Sequence, residues 1–311
     1  MSAPAIMKKP MREHGYPATE FAAVLAASVA MADSVPPSVA MLILGSVTTL
    51  SVGALFLAGF LPAAILAIAL LIAVAIRSRV KGFRKGHPFD LRRALRSVPP
   101  ALPALGFPII VIGALVGGVA SPTEAASFAV VYGVVAVAYV HRSFELRIAW
   151  PALRDATLVS AMVLVMLGTS HLLVQAIVIA GLGRTLAEAF AVFNTPIVFL
   201  VVSVLALVVI GFVLEGFPAI LVTGPILLPV AERMGVDPLH FGVLLLMAIG
   251  IGVMMPPVGL GYYITCAVTN APVNATMRPS WIYNIFLVTG LIVVALFPQI
   301  TLWLPVQLGL H

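Results

Sequence analysis

Long stretches of this chain contain no charged residue, among them 34–76, 97–123, 241–277 and 279–310. A bilayer-spanning helix takes about 20 consecutive apolar residues, so each stretch holds at least one span. The alternative, one buried core helix per stretch, fails for want of polar faces to cover so many helices. Only 9% of the 311 residues are charged while 62% are hydrophobic, whereas a soluble domain carries about a quarter charged. A water-facing surface cannot be assembled from so few charges. The sequence therefore predicts an all-α polytopic membrane protein whose principal solvent is membrane lipid.

The net charge of +6 would suggest nucleic acid in a soluble protein. Here it fits the retention of Lys and Arg in cytoplasmic loops, and no nucleic-acid partner is expected. The single cysteine, Cys266, lies in an apolar run and has no intrachain partner. No metal-ligand cluster, nucleophile–base pair or phosphate-binding loop stands out, so an enzyme is not expected.

Charges and helix breakers divide the chain. After a polar start comes an apolar segment, 21–46, interrupted at Pro36-Pro37. A span at 50–76 leads into a basic loop, 77–96, with eight cations against Asp90. Spans at 98–116 and 124–140 flank Ser121-Pro122-Thr123-Glu124. A loop at 141–158 precedes a span at 159–181. Segment 196–232 is broken at Glu215-Gly216-Phe217-Pro218, and its second part offers only about 12 apolar residues, too few to cross alone. It reads as a re-entrant hairpin. Segment 241–270 is interrupted at Pro256-Pro257, and a last span covers 281–306. With 77–96 placed in the cytoplasm, 15 of the 17 cations fall on that side, as the positive-inside rule expects, and the carboxyl terminus is predicted periplasmic.

A shift of 220 residues lays Gly15 on Gly235, Phe21 on Phe241, and Pro36-Pro37 on Pro256-Pro257. In the topology above these two regions run in opposite directions. Inverted repeats with broken helices mark secondary transporters, whose substrate and ion sites lie at the midplane where the helices unwind. The chain divides accordingly into the remainder of a first repeat (1–76), a basic loop with connecting helices (77–158) and a second repeat (159–311). The first repeat has no counterpart of the hairpin at 196–232, so an amino-terminally truncated first half is expected.

The chemistry of the breaks follows from proline. It lacks an N–H and clashes with the carbonyl four residues back, and carbonyls freed in hydrocarbon persist only where they line a cavity or are buried in protein. Carbonyls and nearby hydroxyls form a hard-oxygen cage suited to Na⁺. Glu215, a carboxylate within an apolar stretch, is a functional candidate by default. Glu124 beside Pro122 reads as a helix cap. Asp33 beside the first Pro-Pro is read either way, and His171 as a packing partner between helices.

The order of these motifs resembles the large permease subunit of tripartite ATP-independent periplasmic (TRAP) transporters. The motifs are Gly15-Tyr16-Pro17, Pro36-Pro37-Ser38, Leu55-Phe56-Leu57-Ala58-Gly59 with Pro62, Pro122-Thr123-Glu124-Ala125-Ala126, Pro225 to Pro229, Asp237-Pro238-Leu239-His240-Phe241-Gly242 and Pro256-Pro257-Val258-Gly259. The resemblance implies an ion transporter superfamily fold in the bacterial inner membrane and a small permease subunit as partner. It also implies a periplasmic substrate-binding protein that delivers a dicarboxylate or related carboxylate, with Na⁺ as coupling ion and no other cofactor. Carried over, one ion site uses Glu215 and Gly216 with Met254, Pro256, Pro257 and Gly259. The other uses the Ser34 to Ser38 segment, with Ser34, Pro36, Pro37 and Ser38, and a hairpin this chain lacks. The Na⁺ ligands proper are expected from Glu215, Pro256 and Ser38. The alternatives are an ion-coupled carrier of the same superfamily that works without a binding protein, and an inactive truncated membrane component.

Overall fold

The computed structural model describes residues 15–83, 90–140, 146–181 and 195–309, together with Met7, Met11 and Glu13. Twelve α-helices lie in this part of the chain. They are α1 (Ala18–Ala30), α2 (Val39–Val47), α3 (Val52–Lys81), α4 (Leu91–Val116), α5 (Pro122–Val135), α6 (Leu146–Ile179), α7 (Pro196–Val213), α8 (Gly216–Arg233), α9 (Pro238–Val253), α10 (Leu260–Thr269), α11 (Val273–Leu296) and α12 (Gln299–Gln307). A 3₁₀ turn, Ala32–Ser34, follows α1, and a π-helical turn, Ala136–Val140, follows α5. Among the described residues, six helical stretches are long and apolar enough to cross a bilayer, the most apolar being α3 and α7. The expectation of an all-α polytopic membrane protein is met.

Both double prolines interrupt helices. The first break separates α1 from α2, and the second, 254–259, separates α9 from α10. Both Pro–Pro peptide bonds are cis. The 220-residue shift extends to structure. It carries the start of α1 onto the start of α9, and the starts of α2 and α3 to within one residue of those of α10 and α11. Gly15 and Gly235, each just ahead of its repeat, both take left-handed backbone, φ +79° and +76°, which glycine adopts without a Cβ penalty.

Several boundaries differ from expectation. The basic segment 77–96 is not all loop: α3 continues to Lys81 and α4 starts at Leu91, while 84–89 lie outside the described residues. α6 begins at Leu146, well before the expected span at 159. Arg and Lys are good helix formers, so charge ends the hydrocarbon crossing without ending the helix. The segment 281–306 is two helices, α11 and α12, parted at Phe297-Pro298. The second arm of the 196–232 segment is an 18-residue helix, α8, rather than about 12 residues, because Gly216 to Pro218 and Glu232-Arg233 join it. The polar start through His14 is described only at Met7, Met11 and Glu13, and Arg184 lies outside the described residues.

The chain forms two compact units, one from residues 1–86 and 173–311, the other from 87–172. In the second, Tyr132 of α5 donates a 2.8 Å hydrogen bond to the Pro103 carbonyl of α4. Ser121 and Glu124 form a capping box at the start of α5, so Glu124 caps a helix, as read from sequence. The larger unit is built around α9, which is buried at every position from Leu239 to Gly252, the state of a helix that is apolar all round. Helices α1, α3, α7, α8 and α11 all pack on it.

Polar residues fasten the start of α9. Asp237 caps it, accepting from the His240 amide at 3.0 Å. The buried His240 ring reaches Thr301 Oγ1 of α12 through Nδ1 at 2.6 Å and the Ala295 carbonyl of α11 through Nε2 at 3.3 Å. The Thr301 hydroxyl also donates to the Pro298 carbonyl at 2.8 Å. Thr301→Val leaves the buried Nδ1 unpaired and is expected to destabilise the protein by about 1–3 kcal/mol. Thermal unfolding in detergent checks this, with Thr301→Ser as the variant that keeps the hydroxyl; a valine variant as stable as wild type contradicts it.

Candidate functional site

The first break is a short irregular passage wedged into the core. Ser34 ends the 3₁₀ turn with 0% exposure, and its Oγ has no hydrogen-bond partner. Pro36 is buried and Pro37 half-buried. Ser38 caps α2, its Oγ accepting from the Ala40 amide at 3.1 Å. The motif Leu55 to Gly59 of α3 forms the adjoining wall, buried throughout. Gly59 is required there: a Cβ would stand 2.9 Å from the Ser34 carbonyl oxygen and 3.2 Å from Pro36 Cγ.

The second break runs from Met254 to Gly259. Its turn is closed by the Gly259 amide, which donates to the Met255 carbonyl at 3.0 Å. The Pro257 carbonyl accepts from the Tyr263 hydroxyl at 2.5 Å, a partner the sequence reading missed. Pro256 is buried and Pro257 exposed. Gly259 has no room for a side chain, since a Cβ would lie 2.6 Å from the Met255 oxygen. Met254 packs its sulfur against Gly261.

Helices α7 and α8 are joined by Leu214-Glu215, and this tip lies beside the second break. A Cβ at Gly216 would stand 3.7 Å from Val253 Cγ2. The approach is made by glycine. A Cβ at Gly211 of α7 would be 2.6 Å from the Ile249 carbonyl oxygen, and one at Gly252 of α9 would be 2.8 Å from the Phe212 nitrogen. The tip and the break are thus neighbours. The Glu215 side chain is exposed and does not cap α8.

The two breaks also approach each other. A Cβ on Gly250, one turn before Met254, would lie 2.6 Å from the Ala30 carbonyl oxygen and 3.5 Å from an Asp33 carboxylate oxygen. Asp33, left open by the sequence, therefore stands between the first break and α9. His171 is on α6, and its side chain is outside the described residues.

A second polar cluster had no place in the sequence reading. Glu20 of α1 is 3% exposed. Arg77 of α3 holds it in a fork, Nε to Oε1 at 2.8 Å and Nη2 to Oε2 at 2.9 Å. The Tyr283 hydroxyl of α11 donates to Oε1 at 2.7 Å. A signal was present in Glu20 itself, a carboxylate directly ahead of an apolar run, but its partners lie 57 and 263 positions away.

The donor set at the breaks is hydroxyl and carbonyl oxygen, with the Asp33 carboxylate beside the first. Among the described residues no three His, Cys, Asp or Glu come together. Oxygen donors of this kind suit hard cations rather than soft transition metals, and the unpartnered Ser34 Oγ is a buried oxygen with bonding capacity to spare.

Comparison with known proteins gives the family. Residues 1–300 match the family described as the tripartite ATP-independent periplasmic transporter, DctM component. The chain is 31% identical over 301 residues to the C4-dicarboxylate TRAP transporter large permease protein DctM of Pseudomonas aeruginosa, covering 96% of this chain and 70% of that protein. It is 31% identical over 298 residues to the sialic acid TRAP transporter large permease protein SiaM of Vibrio cholerae, with the same shares covered. It is also 33% identical over 268 residues to the isethionate TRAP transporter permease protein DctMQ of Oleidesulfovibrio alaskensis, covering 85% of this chain and 42% of that one. The match embraces both broken helices and the tip beside the second of them, and with it the chain belongs to the DctM family of TRAP transporter large permeases, a family of transporters and not of enzymes.

Proposed function

We propose that this chain is the permease subunit of a Na⁺-coupled importer of an organic acid. The substrate is a dicarboxylate or related carboxylate, delivered by a periplasmic binding protein, and a small permease subunit completes the membrane complex. The relatives named above take C4-dicarboxylate, sialic acid and isethionate, all organic anions. The chain sits in the bacterial inner membrane with its carboxyl terminus on the periplasmic side, as its distribution of cations favours. The observation that carries the reading is the buried, unpartnered Ser34 Oγ at one helix break, close to a second break of the same kind.

Ser34 and Ser38, with the carbonyls of Pro36 and Pro37, would hold one cation. Pro256, Pro257, Gly259 and Gly216 would hold another through backbone carbonyl oxygens, with Met254 and Glu215 at its border. Bound Na⁺ supplies positive charge that offsets the charge of an anionic substrate. The chain's own residues do the rest. The prolines withhold N–H groups, so carbonyl oxygens stay free for a ligand. Gly59 and Gly250 let neighbouring backbone close over the first break and exclude lipid from it. Asp33 lies between the first break and α9, where a change at either break is felt at the other.

The test is uptake into proteoliposomes containing this chain and both partner subunits. Carboxylate accumulation is expected to require an inward Na⁺ gradient. Ser34→Ala removes one oxygen ligand, and losing one hydrogen-bond-scale contact of about 1.4 kcal/mol raises the Na⁺ concentration for half-maximal uptake about tenfold. Uptake of equal rate in Na⁺ and in choline contradicts the coupling, and an unchanged Na⁺ dependence in Ser34→Ala contradicts the site.

A further inference from the structure

Where α1, α3 and α11 meet, a cavity of about 450 Å³ opens beside the Glu20–Arg77 pair. Its wall carries Arg77, Lys81 and Arg278 against one acid, Glu20. Glu20 is fully engaged, with both oxygens bound by Arg77 and one also by Tyr283. A guanidinium has five N–H donors, so Arg77 keeps three beyond the two that hold Glu20. Lys81 and Arg278 are exposed, and no described acid forms an ion pair with either. The remaining wall is largely apolar, with Val80 and Ile282 part of it. The cavity is therefore positively charged at its head and greasy along its side.

Its position adds a second argument. It lies at the charged last turn of α3, the end of a 30-residue helix whose most apolar 18-residue stretch has a mean hydropathy of 2.7, which is where such a helix leaves the hydrocarbon. Cations at the carboxyl end of α3 answer the helix dipole. Arg278, near the amino end of α11, has no such reason to be there. Basic pockets between transmembrane helices on the cytoplasmic side take the headgroups of anionic lipids.

We propose that this cavity binds the headgroup phosphate of an anionic phospholipid. The phosphate sits among Lys81, Arg278 and the free N–H groups of Arg77, and an acyl chain runs along Val80 and Ile282. The bound lipid clamps the junction of α1, α3 and α11 at the end of the first broken helix.

Native mass spectrometry of the full chain in uncharged detergent tests this with phosphatidylglycerol, phosphatidylcholine and inorganic phosphate. One phosphatidylglycerol per chain is expected to be retained in preference to phosphatidylcholine. Each basic residue near a membrane surface contributes about a factor of five to such binding, so Lys81→Gln with Arg278→Gln weakens it about 30-fold. Lys81→Arg with Arg278→Lys retains binding, and Arg154→Gln on α6 leaves it unchanged. Both altered side chains are exposed, so the fold survives their replacement. Equal retention by the glutamine variant and wild type overturns the proposal, as does equal retention of the two lipids. Displacement of phosphatidylglycerol by equimolar inorganic phosphate overturns the lipid assignment in favour of a free-phosphate site.

Discussion

Replacing Glu20 with alanine is expected to destabilise the protein by about 3–5 kcal/mol, the range for breaking one side of a buried ion pair. The cost does not measure the strength of the pair. It arises because the mutation leaves the Arg77 guanidinium and the buried Tyr283 hydroxyl without their common acceptor. Arg77→Ala falls in the same range, since it leaves a carboxylate that is 3% exposed with one tyrosine donor. Tyr283→Phe removes a single hydrogen bond to a charged group and costs about 1.5–3 kcal/mol. Glu20→Ala combined with Arg77→Met removes both charges and recovers much of the loss. A thermal-unfolding double-mutant cycle on the purified chain reads these values. If the double variant were as unstable as the sum of the singles, the fork geometry at 2.8 and 2.9 Å would have no energetic counterpart. The three residues come from α1, α3 and α11, so unlocking them frees the first arm of a broken helix from the long helices that hold it.

What the sequence made legible, and what it hid, separate on physical lines. The breaks at Pro36-Pro37 and Pro256-Pro257 are where the prolines demand them, because a missing N–H and a blocked carbonyl act within one turn and need no tertiary context. The repeat is legible for the same reason: a 220-residue shift aligns local signals, from Gly15 and Gly235 through the two breaks to the starts of α3 and α11. Charge does not mark the helix ends. Arg77 to Lys81 continue α3, and α6 starts at Leu146 among residues read as loop. Long basic side chains reach water from the end of a span while their backbone stays helical. The site was legible in part. Gly216 and the second break are neighbours, and the carboxylate of Glu215, the most conspicuous acid in the chain, is exposed. Glu20, Arg77 and Tyr283 form a cluster that exists only once three helices distant in sequence have packed.

Gly252→Ala is expected to cost about 2 kcal/mol and to lower transport by more than that loss of stability explains. The added methyl group would meet the Val208 carbonyl oxygen and lie 2.8 Å from the Phe212 nitrogen and 2.9 Å from the Gly211 carbonyl carbon. All three are backbone atoms of α7, so no side-chain rotamer relieves the clash and the helices must part. Overfilling a packed interior costs about 1–3 kcal/mol, and a rigid neighbour puts this site at the upper end. Against that, alanine gains about 1 kcal/mol over glycine in a helix interior, which sets the net value. The same substitution at Gly168 of α6, where nothing lies within 4 Å of the new Cβ, keeps the propensity gain without the clash and is expected to leave stability equal or higher. The opposite signs at two helical glycines are the test: equal thermal shifts at both would mean that α7 and α9 do not touch through Gly252. The functional loss follows from position. Gly252 is two residues before Met254, and α7 leads directly to Leu214-Glu215, so parting these helices carries the tip away from the second break. Uptake should then fail in a protein that still folds, whereas a variant with reduced stability and normal uptake would show that the tip need not approach the break for transport.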